Sequence, residues 1–369
     1  MKRNIINDLA KWKEHSNRKP LIIQGARQVG KTWVMKEFGR LFFENVIYIN
    51  FESSVRLQQL FQNDFDMQRI ISVLEIESGQ KFNPNTTLLI LDEIQEAEKG
   101  LTALKYFNEN APEYFVIAAG SLLGVSLQKN NTFPVGKVDF LNLYPMNFEE
   151  FLLNQNEDGL AQSLSTKNWD VIAPFHEKLT QLLRTYYFVG GMPEAVQNYI
   201  LNKNFEEVRT IQKNIVAGYE NDFAKYAPFE IVPKIRMVWQ SILGQLAKEN
   251  KKFIYGQIKK GARAKEFETA INWLTNAGLL HKCLKINKPT IPLQSYADYD
   301  VFKLYFVDVG LLNAMGGLSE QILLNKNQIL IEFKGALSEQ FVAQELILKH
   351  EIFYWTAENA TAEIDFIIQ

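Results

Sequence analysis

Five short apolar runs punctuate the first 153 residues: LIIQ at 21–24, VIYIN at 46–50, TLLILDE at 87–93, YFVIAAGS at 114–121 and KVDFLNL at 137–143. They are rich in β-branched residues and lack polar alternation, as expected of strands covered on both faces. Segments of helical apolar spacing separate them, so the region reads as α/β, a parallel sheet with crossover helices. The polar stretch from Asn154 to Asp170 reads as a loop or linker. From Ala173 to about Leu246 the spacing is helical, as in LTQLLRTYYFVGG and in Val208, Ile211 and Ile215, which predicts an all-helical lid or bundle. Phe253 to Leu284 reads as helix, turn, helix, strand. Phe267, Ala270, Ile271, Leu274 and Ala277 share one face of the second helix, the pattern of a winged helix. Beyond Ile291 the pattern is mixed: KLYFVDVGLL, a helical run from about Ile329 to Lys349, then strands in IFYWTA and AEIDFII. There is no internal repeat or low-complexity tract.

With 369 residues, 47% of them hydrophobic and 22% charged, the chain is neither disordered nor fibrous, and two or three domains are expected. The formal charge of −2 excludes a polycation built to coat nucleic acid, but the charge is uneven: residues 248–288 carry +7 and the remainder −9. This makes residues 248–288 a candidate DNA surface. Glu266 and Glu268 beside Lys265 would be repelled by a groove, so a protein-binding or purely structural winged helix stands equally open. The lone Cys283 excludes intramolecular disulfides, and the scattered His15, His176, His281 and His350 offer no zinc spacing. A reducing compartment follows. No apolar run approaches the roughly 18 residues that span a bilayer, and the amphipathic N-terminus is not signal-like. The expectation is a cytoplasmic protein without a membrane partner.

The chemistry enters at Gly25-Ala26-Arg27-Gln28-Val29-Gly30-Lys31-Thr32, which fits G-x-x-x-x-G-K-[ST] between an apolar run and a helical pattern. Glycines let successive amides converge on phosphate oxygens, and the positive end of the next helix adds its field. Lys31 should reach the β- and γ-phosphates of ATP, and the Thr32 hydroxyl should ligate Mg²⁺. The metal also needs a carboxylate at another strand end, which LLILDE supplies. Asp92 would hold it, and Glu93 would orient or deprotonate the attacking water. Ser121, closing FVIAAGS, suits contact with the γ-phosphate or the water and equally an ordinary strand exit. Asn50 is a candidate to hydrogen-bond Glu93 and hold it back, or a common turn residue.

GARQVGKT, LLILDEIQ, AAGSLLG, LNLYPMNFEEFL, YYFVGGMPEAV, LYFVDVGLL, GALSEQFVAQEL and YWTAENATAEIDF stand together in one order. In this the chain resembles prokaryotic AAA-type P-loop ATPases whose C-terminal half is a domain of unknown function with a nuclease-like core. The resemblance implies a five-stranded core and makes Ser121 the sensor residue. Gly191-Met192-Pro193 resembles an element whose proline, here Pro193, packs near adenine; the same residues suit a helix start. Where such ATPases place an arginine after the sensor strand this chain has Gly136-Lys137, with Arg27 and Arg184 as spare candidates. Glu339 and Asp365 match two carboxylates of the nuclease-like site. The E-x-K strand expected after Asp365 is not in the sequence, which ends at Gln369, so no nuclease activity is expected.

The expected organisation is a P-loop core at 1–153, a helical lid at 170–228, a winged-helix segment at 229–290 and a truncated α+β nuclease-like domain at 291–369. The expected function is a Mg²⁺-dependent ATPase coupling nucleotide state to movement of the lid and C-terminal part, on DNA or on a protein partner. Two alternatives stay open: a nucleotide-gated signalling switch with little turnover, and a DNA-binding regulator whose ATP site is structural. The oligomeric state is open.

Overall fold

The computed structural model describes residues 1–120, 134, 136–247, 252–320, 331–357 and 361–369, without the side chains of 331–334. All five N-terminal apolar runs are strands: β1 (Leu21–Gln24), β2 (Asn45–Asn50), β3 (Thr87–Asp92), β4 (Phe115–Ala119) and β5 (Asp139–Asn142). They form a parallel sheet in the order β2-β3-β4-β1-β5. Every residue of β3 and β4 is buried, the reason their sequences do not alternate. The helix Met67–Ser78 begins where the Asp66 carboxylate accepts the amides of Gln68 and Arg69, and ends at Gly79 in the left-handed region. It and the helix Gly100–Asn110 bring Ile70, Leu74, Leu104 and Phe107 into one core with Ile47, Ile49, Leu89 and Leu91 of the sheet.

The chain divides into two compact units, Arg3–Leu143 and Met1–Lys2 with Tyr144–Gln369. The helix Phe148–Asn154 therefore lies in the C-terminal unit, although the sequence suggests a core running to 153. Its Asn147 and Glu150 form a reciprocal capping box. The expected loop at Asn154–Asp170 is a correction. It contains the helix Asp158–Ser165 and the start of the helix Trp169–Ile172. Leu160, Ala161 and Leu164 make a short apolar stripe that packs with Leu152, Leu179 and Leu182, enough to bury one face of a mostly polar segment. The helices His176–Val189, Pro193–Asn202, Phe205–Tyr226 and Val232–Leu246 follow in the region predicted helical.

A one-turn helix Tyr255–Ile258, the helix Ala264–Asn276 and the strand β6 (Leu280–Ile286) then succeed each other. Phe267, Ala270, Ile271, Leu274 and Ala277 are buried, as their spacing predicts. β6 pairs antiparallel with β7 (Ala297–Phe306), across the suggested limit at 290, and parallel with β8 (Phe353–Thr356), which pairs with β9 (Glu363–Ile367). The result is a mixed sheet in the order β7-β6-β8-β9. No helix among the described residues is long and apolar enough to cross a membrane.

A closed ring of buried hydrogen bonds organises this unit. Met146 N–H donates to Gly191 O at 2.7 Å, and Gly191 N–H to Asp308 Oδ2 at 2.6 Å. On the other side Tyr186 Oη donates to Met146 O at 2.6 Å, Gln344 Nε2 to Tyr186 Oη at 2.7 Å, and Val309 N–H to Gln344 Oε1 at 2.9 Å. A Cβ on Gly191 would sit 2.0 Å from Met146 O, so only glycine permits the approach. Such groups are costly to leave unpaired.

Burial pushes the Asp308 carboxyl up to about 6, against amide hydrogen bonds from Gly191, Leu311 and Gly310 that favour its charge. An unfolded aspartate titrates near 4, so the folded state binds the proton more tightly. Asp308 therefore subtracts stability as pH rises from about 4 to about 6, by about 3 kcal/mol in all. Burial holds His281 down to about 4, which gives the opposite slope below about pH 6.5 but is common to any Asp308 variant. Urea unfolding at pH 4 and pH 7 should show Asp308→Asn gaining about 3 kcal/mol on the unmutated protein over that interval. Parallel pH curves would contradict the assignment.

Candidate active site

β1 ends in a loop that turns into the helix Lys31–Phe42. Gly30, its N-cap, has φ 93° and ψ 25°, a left-handed conformation that glycine adopts without steric cost. Gly25 lies so close to the chain that a Cβ would meet Leu143 O at 2.1 Å. Beneath the loop the buried Arg3 donates from Nη1 to Val29 O at 3.0 Å, fixing one carbonyl of the turn. Lys31 is buried, and its Nζ donates to Gly25 O at 2.9 Å and Ala26 O at 2.8 Å. Burial pushes its ammonium down to about 8, while Glu93 and Asp92 hold it up and Arg27 opposes them.

The acidic pair meets this loop. Thr32 Oγ1 donates to Asp92 Oδ2 at 2.6 Å, and Tyr48 Oη donates to the same oxygen at 3.0 Å. Asp92 Oδ1 accepts from Glu93 N–H at 3.1 Å, so both oxygens of this buried carboxylate are directed. Burial, then the Asp92 charge, raises the Tyr48 hydroxyl above its usual range, which keeps it a proton donor. The Lys36 ammonium lies 3.6 Å from the centre of the Tyr48 ring. Asn50 Oδ1 accepts from Glu52 N–H at 2.9 Å and caps the 3₁₀ turn Phe51–Ser53. Arg3 and Tyr48 were not legible in the sequence. One lies far upstream of the loop, and the other is an ordinary aromatic in a strand pattern.

Gly25, Ala26, Arg27, Gln28, Val29, Gly30, Lys31 and Thr32 thus form one loop and helix start, and Asp92 and Glu93 lie beside it. Ser121 lies outside the described residues. Pro193 is the first residue of the helix Pro193–Asn202, in the C-terminal unit. Lys137, at the place where the resembled ATPases carry an arginine, forms an ion pair with Glu109 at 2.9 Å.

The C-terminal sheet gathers a second group. Lys303, on β7 and almost fully buried, places Nζ 2.5 Å from Glu363 Oε1, 3.0 Å from Asp365 Oδ1 and 3.9 Å from Glu339 Oε2. Tyr305 Oη donates to Glu339 Oε2 at 3.3 Å. Burial works against the lysine's charge, but Glu363 and Asp365 outweigh it and hold the ammonium above its ordinary value. Glu339 and Asp365 are therefore brought together, with a lysine beside them that the sequence pattern placed nowhere near. Among the described residues no group of three His, Cys, Asp or Glu side chains is arranged to hold a metal ion.

Residues 17–152 match the family model described as AAA domain, and residues 180–322 match a domain of unknown function (DUF8612). No curated protein matches the chain. Among solved structures, a Walker-type ATPase of Pyrococcus abyssi is similar with a TM-score of 0.50 at 14% identity, over 84% of this chain and 94% of that one. At that identity the likeness shows the fold alone. The Orc1 protein of Aeropyrum pernix in complex with DNA aligns at 12% identity, over 85% of this chain and 91% of that one. Cdc6p from Pyrobaculum aerophilum aligns at 11%, over 90% and 92%. Both have a TM-score of 0.29, too low to carry an argument.

Replacing Lys303 by Met should remove the counter-charge that it offers these carboxylates. Because Glu363 and Asp365 are partly solvated, the loss should be about 1–2 kcal/mol rather than that of a fully buried pair. Urea unfolding in low salt should register it, and about 0.5 M NaCl should recover much of it by screening the repulsion. A variant as stable as the unmutated protein in low salt would show that the three contacts contribute nothing.

Proposed function

We propose that this protein, whose residues 17–152 are an AAA-type P-loop ATPase domain, binds ATP with Mg²⁺ and hydrolyses it. The observation that carries the reading is the 2.6 Å contact between Thr32 Oγ1 and Asp92 Oδ2 at the start of the helix Lys31–Phe42. One hydroxyl and one carboxylate suit a magnesium ion that takes its remaining ligands from water and phosphate oxygens. Thr32 and Asp92 would hold it there, where it would draw charge from the phosphates.

The chain's own groups do the rest. Lys31 would exchange the carbonyls of Gly25 and Ala26 for phosphate oxygens, which its buried ammonium can pair more strongly. Tyr48 would keep Asp92 turned toward the loop after Thr32 engages the metal. Glu93 would orient the attacking water and accept its proton. We extend the proposal to coupling of nucleotide state to movement of the helical lid and the C-terminal unit, either in steady turnover or as a switch that rarely turns over.

Lys31→Ala should abolish nucleotide binding or turnover. Glu93→Gln should retain ATP but hydrolyse it about a hundredfold more slowly or worse. Hydrolysis at the unmutated rate in Glu93→Gln would end the mechanism. Tightly retained nucleotide with negligible turnover of the unmutated protein would favour the switch over a motor.

DNA is the partner favoured by one local feature. Lys259, Lys260 and Arg263 are exposed at the turn preceding the helix Ala264–Asn276 and Lys265 is exposed in its first turn, outnumbering Glu266 and Glu268 on that helix. Binding to a DNA duplex should weaken as salt rises, and replacing Lys259, Lys260 and Arg263 by Ala should reduce the log–log slope by about 2–3. An unchanged slope, or no binding at low salt, would remove DNA from the proposal.

A further inference from the structure

Glu93 leaves β3 in the left-handed backbone region, at φ 52° and ψ 44°, a conformation uncommon for residues other than glycine. Its carbonyl accepts from Glu96 N–H at 2.9 Å, which closes the 3₁₀ turn Ile94–Glu96. Ile94 is fully buried, and a Cβ on Gly100 would come within 2.6 Å of its carbonyl oxygen, so the turn is packed against the start of the next helix. The backbone at Glu93 is thereby set, while its side chain has three torsions of its own to settle.

Gln95, two residues on, reaches back across this turn. Its Nε2 donates to Glu93 Oε2 at 2.5 Å. The Oε1 of the same amide is buried and has no hydrogen-bond partner among the described residues, so the amide is oriented by the Glu93 carboxylate. The carboxylate follows Asp92, whose Oδ2 accepts from Thr32 of the loop, and with Asp92 it holds up the Lys31 ammonium.

We infer that Gln95 is a positioning residue for Glu93, its amide fixing the rotamer of the carboxylate that follows Asp92 beside the Gly25–Thr32 loop. The role given to Glu93 rests on the hydrolysis proposed above; the contact does not. A group that orients water acts through geometry, and a displacement of an ångström costs rate without loosening substrate. Gln95 would thus affect turnover and leave nucleotide binding, which Lys31 and Thr32 govern, alone.

The test uses the full chain with Gln95→Leu and Gln95→Met, which are close in volume and carry no donor. ATP turnover should fall at least about tenfold in kcat, while KM and the affinity for a fluorescent ATP analogue with Mg²⁺ stay within about twofold. Adding Gln95→Leu to Glu93→Gln should produce no further loss, because the two act as one unit. Unchanged or raised kcat in either folded variant would overturn the inference. A readout independent of turnover is the side-chain amide signal of Gln95 in an NMR spectrum, identified by its loss in Gln95→Leu. It should move in Glu93→Ala, and an unmoved signal overturns the inference. A signal that moves in a protein that does not hydrolyse ATP upholds the positioning and overturns the catalytic role of Glu93.

Discussion

The N-terminal unit is organised by the contact between Thr32 and the oxygen of Asp92. β1 and β3 are not neighbours, since β4 lies between them. Only because the strands run parallel do their carboxyl ends open on one side, where loops from separate strands can meet. The helix Lys31–Phe42 starts there, so its hydroxyl, the lysine before it and the carboxylate of the other strand share a small volume. Lys31 shows what this closeness costs and returns. Burial weakens its charge, and the two acidic residues restore part of it.

The C-terminal unit depends on a different constraint. Its ring of hydrogen bonds draws on Met146, Tyr186, Gly191, Asp308, Val309 and Gln344, which come from four separated segments: LNLYPMNFEEFL, YYFVGGMPEAV, LYFVDVGLL and GALSEQFVAQEL. Those motifs are four of the eight on which the family resemblance rests, and each delivers at least one buried polar group to the ring. Glycine in one, aspartate in another and glutamine in a third answer one requirement, the pairing of backbone groups out of reach of water. The neighbouring Gln340 does the same for Phe306, accepting its N–H and donating to its carbonyl.

Much of this was legible in the residues, and what escaped has identifiable reasons. The parallel strands announced themselves because burial on both faces suppresses alternation, and the Gly25–Thr32 loop because its spacing is tied to one backbone shape. The helix Asp158–Ser165 was hidden by its polar composition, although its few apolar residues suffice to seal one side. Lys303 was illegible in kind. It is partnered by residues from β9 and the helix Ile331–Leu346, and nothing in its local run KLYF marks it as charged cargo in a core. Gln95 was in plain view within LLILDEIQ, but what its side chain touches follows from a left-handed turn that periodicity does not encode.

The ring also bears on how the chain is made. Tyr186 and Gln344 lie 158 residues apart, whereas the five parallel strands are complete by Asn142. During synthesis the N-terminal parallel sheet can therefore assemble while the last member of the ring has yet to leave the ribosome, since domains fold as units in the order they emerge. Until then the amide of Val309 and the hydroxyl of Tyr186 lack their glutamine, and the emerging half must wait in a hydrated, unfinished state. A truncated product would thus keep a finished front half joined to an unsealed remainder, the kind of surface that quality control degrades.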